Sequence, residues 1–413
     1  MPTYHIWTIG CQMNKAESER LASRFEELGY KAAKSFNDAD LIVLNSCVVR
    51  QSAEDRVINK LHDLKHLKKE KPQMLLALTG CIVDSDTKVL RKKFPFIDQF
   101  FKAGEYPPWL EKAKSATLLE KPSPSVYVPI SQGCDNFCSY CIVPYRRGRE
   151  RSRPPEEIAC EVEELVRRGA KEVILLGQNV DSYGHDLPGK PDLADLLQEL
   201  NKVEGIARLR FLTNHPKDMS QKLIDAIANL DKVCEQINLP VQAGSDEILQ
   251  AMKRGYTAAQ YRQLVKKVRE KVPDITLTTD IIVGFPGESE AQFQETLDLL
   301  SEIKFATVHV AAYSPREGTT AARDFADDIP SEEKKARLNR IEQLQSQIQS
   351  EMNAQLKGKA AEILVEGRNK GKWYGRTRSD KLVFFNSVGD YLGQLVGVKI
   401  KKTSPWSLQG KIE

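Results

Sequence analysis

Six of the eight cysteines in this 413-residue chain fall into two groups that could do chemistry. Cys134, Cys138 and Cys141 form a C-x3-C-x2-C run inside SQGCDNFCSYCIVPYRRGRERSRP, residues 131–154, with Tyr140 between the last two. Three thiolates this close can hold three irons of a cubic cluster and leave the fourth iron without a protein ligand. Ferredoxin spacing differs, because it supplies four cysteines per four-iron cluster. A structural zinc site would need a fourth ligand, and no His lies nearby. Three unligated thiols in a loop are the plainer alternative, and the scarcity of cysteine elsewhere argues against it.

The second group is set by the elements around it. Residues 4–10, 41–46 and 74–80 read as short apolar strands, separated by helical patterns over 15–29 and 52–69 and followed by a short helix and a strand at 97–101. Such alternation predicts a doubly wound parallel sheet. Cys11, Cys47 and Cys81 each lie just past a strand. In open α/β sheets the carboxyl ends of the strands line the ligand crevice, so three distant residues should meet at one edge. A cysteine is often simply a buried small hydrophobe, but three at matching strand ends favour a second cluster site.

A proline-punctuated, charged linker is expected over 105–124, after a first domain at 1–104. A second α/β array follows over 125–352. Strands are predicted at 126–130, 173–177, 209–213, 237–241, 276–284 and 307–313, with helices at 155–168, 191–203, 219–229, 257–271 and 289–302. Six βα units predict a partial (β/α)6 barrel, whose sites sit at the carboxyl ends of the strands. The cysteine loop follows the first strand. GQNVDSYG (177–184), NHPKD (214–218), QAGS (242–245), GFPGE (284–288) and YSPREGT (313–319) follow the others. Cys160 and Cys234 have no cysteine neighbour in sequence and read as structural, and His215 reads as a positioning residue rather than a ligand.

A helix predicted at 331–356 opens with Glu332 and Glu333, acids suited to a helix N-terminus. Short β segments at 360–367, 373–377, 381–386 and 394–403 then suggest a small antiparallel β-barrel over 353–413. That piece has twelve Lys or Arg against five Asp or Glu, a net +7, whereas the whole chain is only +4. Basic residues interleaved with Trp373, Tyr374 and Phe385 suit single-stranded nucleic acid, although an ordinary core with a basic surface would read alike. The apolar runs are strand-sized, too short to span a membrane. The N-terminus lacks a signal core. Eight cysteines without a small disulfide-dense domain suit a reducing, cytoplasmic setting.

The C-x3-C-x2-C run resembles the radical S-adenosylmethionine (SAM) superfamily. That resemblance implies SAM bound to the open iron and its cleavage to a 5′-deoxyadenosyl radical. In that setting Gln178 and Asn179 offer amide groups to the methionyl end. Gly284 and Phe285 offer main-chain contacts to the adenine, and Arg316 can pair with a carboxylate or phosphate.

Over nearly its whole length the chain resembles the tRNA methylthiotransferases of the MiaB type. The matching stretches are GCQMN (10–14), NSCVVR (45–50), GC (80–81), residues 133–154, LGQNVDSYG (176–184), HPKD (215–218), LPVQAGS (239–245), TDIIVGFPGE (279–288) and YSPREGT (313–319), with a TRAM-like LVEG…GRT piece at the C-terminus. Departures are Ile82 and Val83 after Cys81 and Ala243 in place of a common serine, which touch only substrate preference. The resemblance implies two 4Fe–4S clusters, one on Cys11, Cys47 and Cys81 and one on Cys134, Cys138 and Cys141. It also implies SAM, a tRNA anticodon stem-loop, a sulfur donor and a reduced flavodoxin- or ferredoxin-type electron donor. The implied reaction adds a methylthio group to carbon 2 of N6-isopentenyladenosine at position 37, with Phe285 or Val180 as an apolar wall for the isopentenyl group. Related enzymes act on threonylcarbamoyl-adenosine or on a ribosomal-protein aspartate. GQNVDSYG and HPKD resemble the isopentenyl class. A non-catalytic RNA-binding iron–sulfur protein leaves the open-iron run unexplained.

Overall fold

The computed structural model describes residues 1–48, 51–83, 86–111 and 121–413. Val49 and Arg50 of the 45–50 stretch, and residues 112–120 of the expected linker, lie outside the described residues. The chain forms two compact units: Met1–Lys121 with Gln132–Asp135 and Cys141–Glu150, and Pro122–Ser131 with Asn136–Tyr140 and Arg151–Glu413.

In the first unit, alternation of side chains along each strand builds two cores. Strand Leu41–Ser46 is buried at every position. Its Leu41 and Val43 pack with Leu21 and Phe25 of helix Gln12–Glu27. Ile42 and Leu44 pack on the other face with Val57, Leu61 and Leu64 of helix Gln51–Glu70. Both faces are therefore covered, as an apolar parallel strand requires. The sheet is wholly parallel, in the order Lys31–Ala32, Thr3–Ile9, Leu41–Ser46, Leu75–Gly80, Gln99–Phe100. The strand order reverses between Thr3–Ile9 and Leu41–Ser46, the switch point at which such sheets bind ligands.

The flanks of the cysteine loop belong to this unit. Ile142 joins the core around Leu78 and Val83, and the Gln132 amide donates to the Ala103 carbonyl at 3.0 Å. An apolar anchor and a buried ion pair (below) hold the segment there, although sequence order alone groups it with the barrel.

The second unit carries the six expected parallel strands. Ser125–Pro129, Glu172–Leu176 and Arg208–Leu212 form one sheet; Gln236–Asn238, Thr276–Val283 and Thr307–Ala312 form the other. A parallel bridge from Leu209 to Val233 joins them. Among the described residues the outer strands, Ser125–Pro129 and Thr307–Ala312, share no pairing, so the barrel is open. Helix Ser331–Ala354 covers the exposed last strand, and Gln345 donates to the Phe305 carbonyl at 3.0 Å. Such cover is how an open sheet edge is kept from pairing elsewhere.

The C-terminal barrel closes in the order Ala360–Asn369, Lys372–Thr377, Leu382–Phe385, Leu408–Ile412, Leu395–Thr403. Four pairings are antiparallel. The fifth, Leu382–Phe385 with Leu408–Ile412, is parallel. That closing strand, LQGKI, was not expected, because it is short and polar and takes its register only from its neighbours. No helix among the described residues is long and apolar enough to cross a membrane.

The C-terminal barrel is bolted to the amino ends of the α/β strands. Arg208 donates to the Arg376 carbonyl at 2.6 Å. Arg378 grips Glu235 at 2.7 and 2.9 Å. Arg210 pairs with Glu172 at 2.8 Å, both side chains 2% exposed, and donates to the Thr377 carbonyl at 2.6 Å. Removing one partner of a buried pair costs about 3–5 kcal/mol, because the other charge is left uncompensated. Arg210→Met should therefore lower stability by about that amount in urea titrations, and the double variant Arg210→Met, Glu172→Leu should recover more than half of the loss.

Candidate active site

The parallel register fixes where the first triad falls. Ile9, Ser46 and Gly80 are aligned across three strands. Cys47 and Cys81 are the next residues on their strands, and Cys11 follows after one glycine. The backbone makes room for this convergence. At Gly10 (φ +149°) a Cβ would lie 2.7 Å from the Cys47 Cβ, and at Gly80 (φ +92°) one would lie 2.2 Å from the Ser46 carbonyl oxygen. Only glycine lets the strand ends approach this closely.

A buried amide network holds the edge. The Cys11 thiol donates to Asn14 Oδ1 at 3.2 Å. Asn14 Nδ2 donates to Asn45 Oδ1 at 2.9 Å, and Asn45 Nδ2 donates to the Asn14 carbonyl at 2.8 Å. Cys11 also stands at the N-cap of helix Gln12–Glu27, so the positive end of that helix faces the edge, as an anionic group there requires. Burial pushes the Cys81 thiol up to about 12, against the pull of the Arg147 charge. Iron binding displaces such a proton. Three thiols on one edge, cradled by glycine and amide groups, fit a cluster. Among the described residues no three Cys, His, Asp or Glu side chains converge as a single mononuclear ion would need. A cubane instead takes each cysteine on a different iron.

The second triad is divided between the two units. Cys134 and Cys141 belong to the first unit and Cys138 to the second. The Cys134 amide donates to the Gly148 carbonyl at 3.3 Å, and Arg149 pairs with Asp135 at 2.6 Å. Cys138 receives a bond from Arg254 Nη1 at 3.3 Å, and the Ser139 hydroxyl donates to the Ala251 carbonyl at 2.7 Å. Tyr140 and Cys141 are half-buried. None of the eight cysteines is in a disulfide.

The predicted mouth loops do lie together at the carboxyl ends of the barrel strands. Asn179 Nδ2 donates to Asp218 at 2.7 Å, and the His215 amide donates to Asp181 at 2.9 Å. Burial pushes the Asp181 carboxyl up to about 7. Burial, with the Arg254 and Lys217 charges, pushes His215 down to about 2, so it is neutral. Its Nδ1 accepts from the Lys217 amide at 3.2 Å, which leaves the proton on Nε2. That Nε2–H, Asn179 Oδ1 and Asn214 Oδ1 are buried without a partner among the described residues, a costly state unless a ligand satisfies them. Thr213 and Gln242, non-glycine residues at φ 73° and 75° on this rim, add local backbone strain of the kind that clusters at functional sites.

Other expected contacts fall as follows. Gln178 is half-buried at the mouth. Gly284 turns at φ +65°, its amide donating to the Glu288 carboxylate at 2.6 Å. Arg316 is buried and donates to the Ser314 hydroxyl at 3.1 Å. Phe285 and Val180 are fully buried. Phe285 packs on Tyr313 and Phe325 with ring centroids 5.3 and 5.7 Å apart, so neither side chain is the apolar wall suggested for the isopentenyl group. Cys160 is exposed on helix Pro155–Arg167 and fills no core position, unlike buried Cys234. Asn14, Asn45, Arg147 and Arg254 were missed. The first three sit inside the quoted motifs, two to six residues from a cysteine, and that closeness was the available signal.

The chain matches three family models: Uncharacterized protein family UPF0004 over residues 3–102, the Radical SAM superfamily over 128–300 and the TRAM domain over 354–412. A tRNA-2-methylthio-N(6)-dimethylallyladenosine synthase of Dehalococcoides mccartyi is 58% identical over 412 residues, covering 100% of this chain and 99% of that one. The chain belongs to this synthase family. Its members of the same name in Chloroflexus aurantiacus and Thermoanaerobacter pseudethanolicus are 49% and 44% identical, covering 98% and 99% of this chain and 91% and 92% of theirs. Among solved structures, the cobalamin-dependent SAM radical enzyme OxsB matches with a TM-score of 0.54 at 14% identity, over 83% of this chain and 56% of OxsB, little more than half its length. The radical SAM methyltransferase TsrM of Kitasatospora setae matches with 0.54 at 12%, over 78% and 74%. At such identity these two share the fold alone with this member of the synthase family.

The Asn14–Asn45 pair gives a test of how the strand-end edge is held. Asn14→Ala leaves the Asn45 carboxamide buried and underpaired, at about 1–3 kcal/mol. Hydrogen exchange of the Leu41–Ser46 amides in metal-free protein should report opening made easier by that amount. Cys11→Ala should leave the same amides protected.

Proposed function

We propose that this chain is a radical SAM methylthiotransferase that converts N6-isopentenyladenosine (N6-dimethylallyladenosine) at position 37 of tRNA to its 2-methylthio derivative. What carries the reading is one conjunction. An open-iron cysteine loop follows the first barrel strand, and a second cysteine triad stands at the switch point of a separate sheet. Family membership at full length supports the substrate class. Cys134, Cys138 and Cys141 hold one 4Fe–4S cluster, and Cys11, Cys47 and Cys81 hold an auxiliary one. With SAM bound, these groups supply radical hydrogen abstraction at the adenine carbon 2 and delivery of a methylthio group.

The chain's own share is binding and orientation. Asn179 Oδ1 and the His215 Nε2–H have spare hydrogen-bonding capacity at the mouth. Together with Gln178, Tyr140, Arg316 and the Gly284–Phe285 backbone they contact SAM or the target base. Because burial keeps His215 neutral, it donates a hydrogen bond without adding charge. The base must leave its stack to reach the mouth. Residues 1–104 carry the auxiliary cluster, 125–352 bind SAM, and 353–413 hold RNA. The last piece sits at the foot of the barrel, so an RNA touching both ends must run the length of the strands. An electron donor of flavodoxin or ferredoxin type, a separate sulfur donor and a cytoplasmic setting complete the reading.

Two measurements test it. Reconstituted protein should hold about eight irons, from two four-iron cubanes, and Ala at Cys134, Cys138 and Cys141 should leave about half; loss of all iron or of none contradicts two sites. Reduced enzyme with SAM should methylthiolate an isopentenylated anticodon stem-loop. Product only on a matched threonylcarbamoylated RNA would overturn the substrate assignment.

A further inference from the structure

Arg147 lies six residues past Cys141, at the end of the short helix Val143–Arg147. Its side chain is 2% exposed. Nε donates to the Cys81 sulfur at 3.2 Å, and the two terminal nitrogens reach the Glu17 carboxylate at 2.6 and 3.4 Å. All three residues belong to the first unit. Ile142, seated in the core beside Cys81 and Val83, fixes the segment that delivers the guanidinium. A surface ion pair would need no such arrangement. Here a rigid planar donor is clamped at its far end by a carboxylate and presents its Nε–H to sulfur.

We propose that Arg147 is a positioning and tuning residue for the cluster held by Cys11, Cys47 and Cys81. This rests on the assignment of a cluster to those thiols. Hydrogen bonds to cluster sulfurs and nearby charge set reduction potentials. A buried cation donating to a thiolate sulfur stabilises the more negative, reduced cluster, so it raises the potential. The contact is made to the Cys81 sulfur. The Cys11 sulfur has instead an amide oxygen at its side. The Cys81 contact is supplied by the segment that also carries Cys141.

The test uses the full chain with Cys134, Cys138 and Cys141 replaced by Ala, which holds the auxiliary cluster alone. Redox-poised electron paramagnetic resonance gives its midpoint potential. Arg147→Met should shift the reduction equilibrium about tenfold toward the oxidised cluster, a fall of about 59 mV for one electron, with iron content kept. Arg147→Lys, which keeps the charge, should recover part of the shift. A purely structural arginine would alter stability and leave the potential where it was; an unchanged potential in an iron-replete Met variant overturns the proposal. Should that variant lose its iron, the parent decides. With 15N-labelled arginine, double resonance on its reduced cluster should show a nitrogen coupling, and no coupling refutes the contact. A parent that takes up no iron refutes the cluster assignment itself, and this proposal with it.

Discussion

Parallel pairing of three buried strands is the constraint on which the N-terminal site depends. Thr3–Ile9, Leu41–Ser46 and Leu75–Gly80 end level with one another because their ladders run in register. A strand slipped by one residue would exchange its faces and set side chains packed in one core into the other. The two cores on either side of the sheet therefore lock the register, and the register in turn places three thiols on one edge. Gly10 and Gly80 then permit the close approach that bulkier residues would block. Packing of leucines far from the edge is thus what positions the sulfurs.

In each cysteine group a buried guanidinium faces a sulfur. Arg147 meets Cys81 and Arg254 meets Cys138. Arg254 is itself held by the Pro240 carbonyl at 2.9 Å and the Tyr256 hydroxyl at 2.9 Å. Burying a cation is expensive unless its donors are satisfied. In both places carbonyl, carboxylate or hydroxyl groups do most of that, and sulfur takes what remains. An anionic iron–sulfur group would make both environments better compensated than the metal-free chain does.

The barrel has a division of labour between its ends. Strand carboxyl ends carry the Asn179 and Asn214 amide oxygens and the His215 imidazole with unmet capacity. The amino ends carry Arg208, Arg210 and Glu235, which bond to the C-terminal barrel, and Glu172, which pairs with Arg210. The basic C-terminal piece is thereby held at a fixed place at the foot of the barrel.

By itself the sequence determined the kinds of element, their order and the two cysteine triads that are proposed to hold clusters. Apolar runs such as LIVLNS, and helical spacing of Leu21 and Phe25, are local signals that tertiary packing reinforced. Cysteine spacing in 134–141 is local too, so its chemistry was readable without coordinates. The tertiary structure decided the rest. It alone gave the strand order that makes Cys11 and Cys47 straddle a switch point, because that order depends on which faces two distant helices cover. It assigned the flanks of the cysteine loop to the N-terminal sheet through Ile142 and Arg147, contacts with no sequence period. It took the Phe285 and Val180 side chains out of the suggested apolar wall by burying them, since an apolar residue beside a motif looks the same in sequence whether it lines a pocket or fills a core. The closing strand Leu408–Ile412 was invisible for a related reason: its hydrogen bonds belong to partners far along the chain, and its own residues have little preference for a strand.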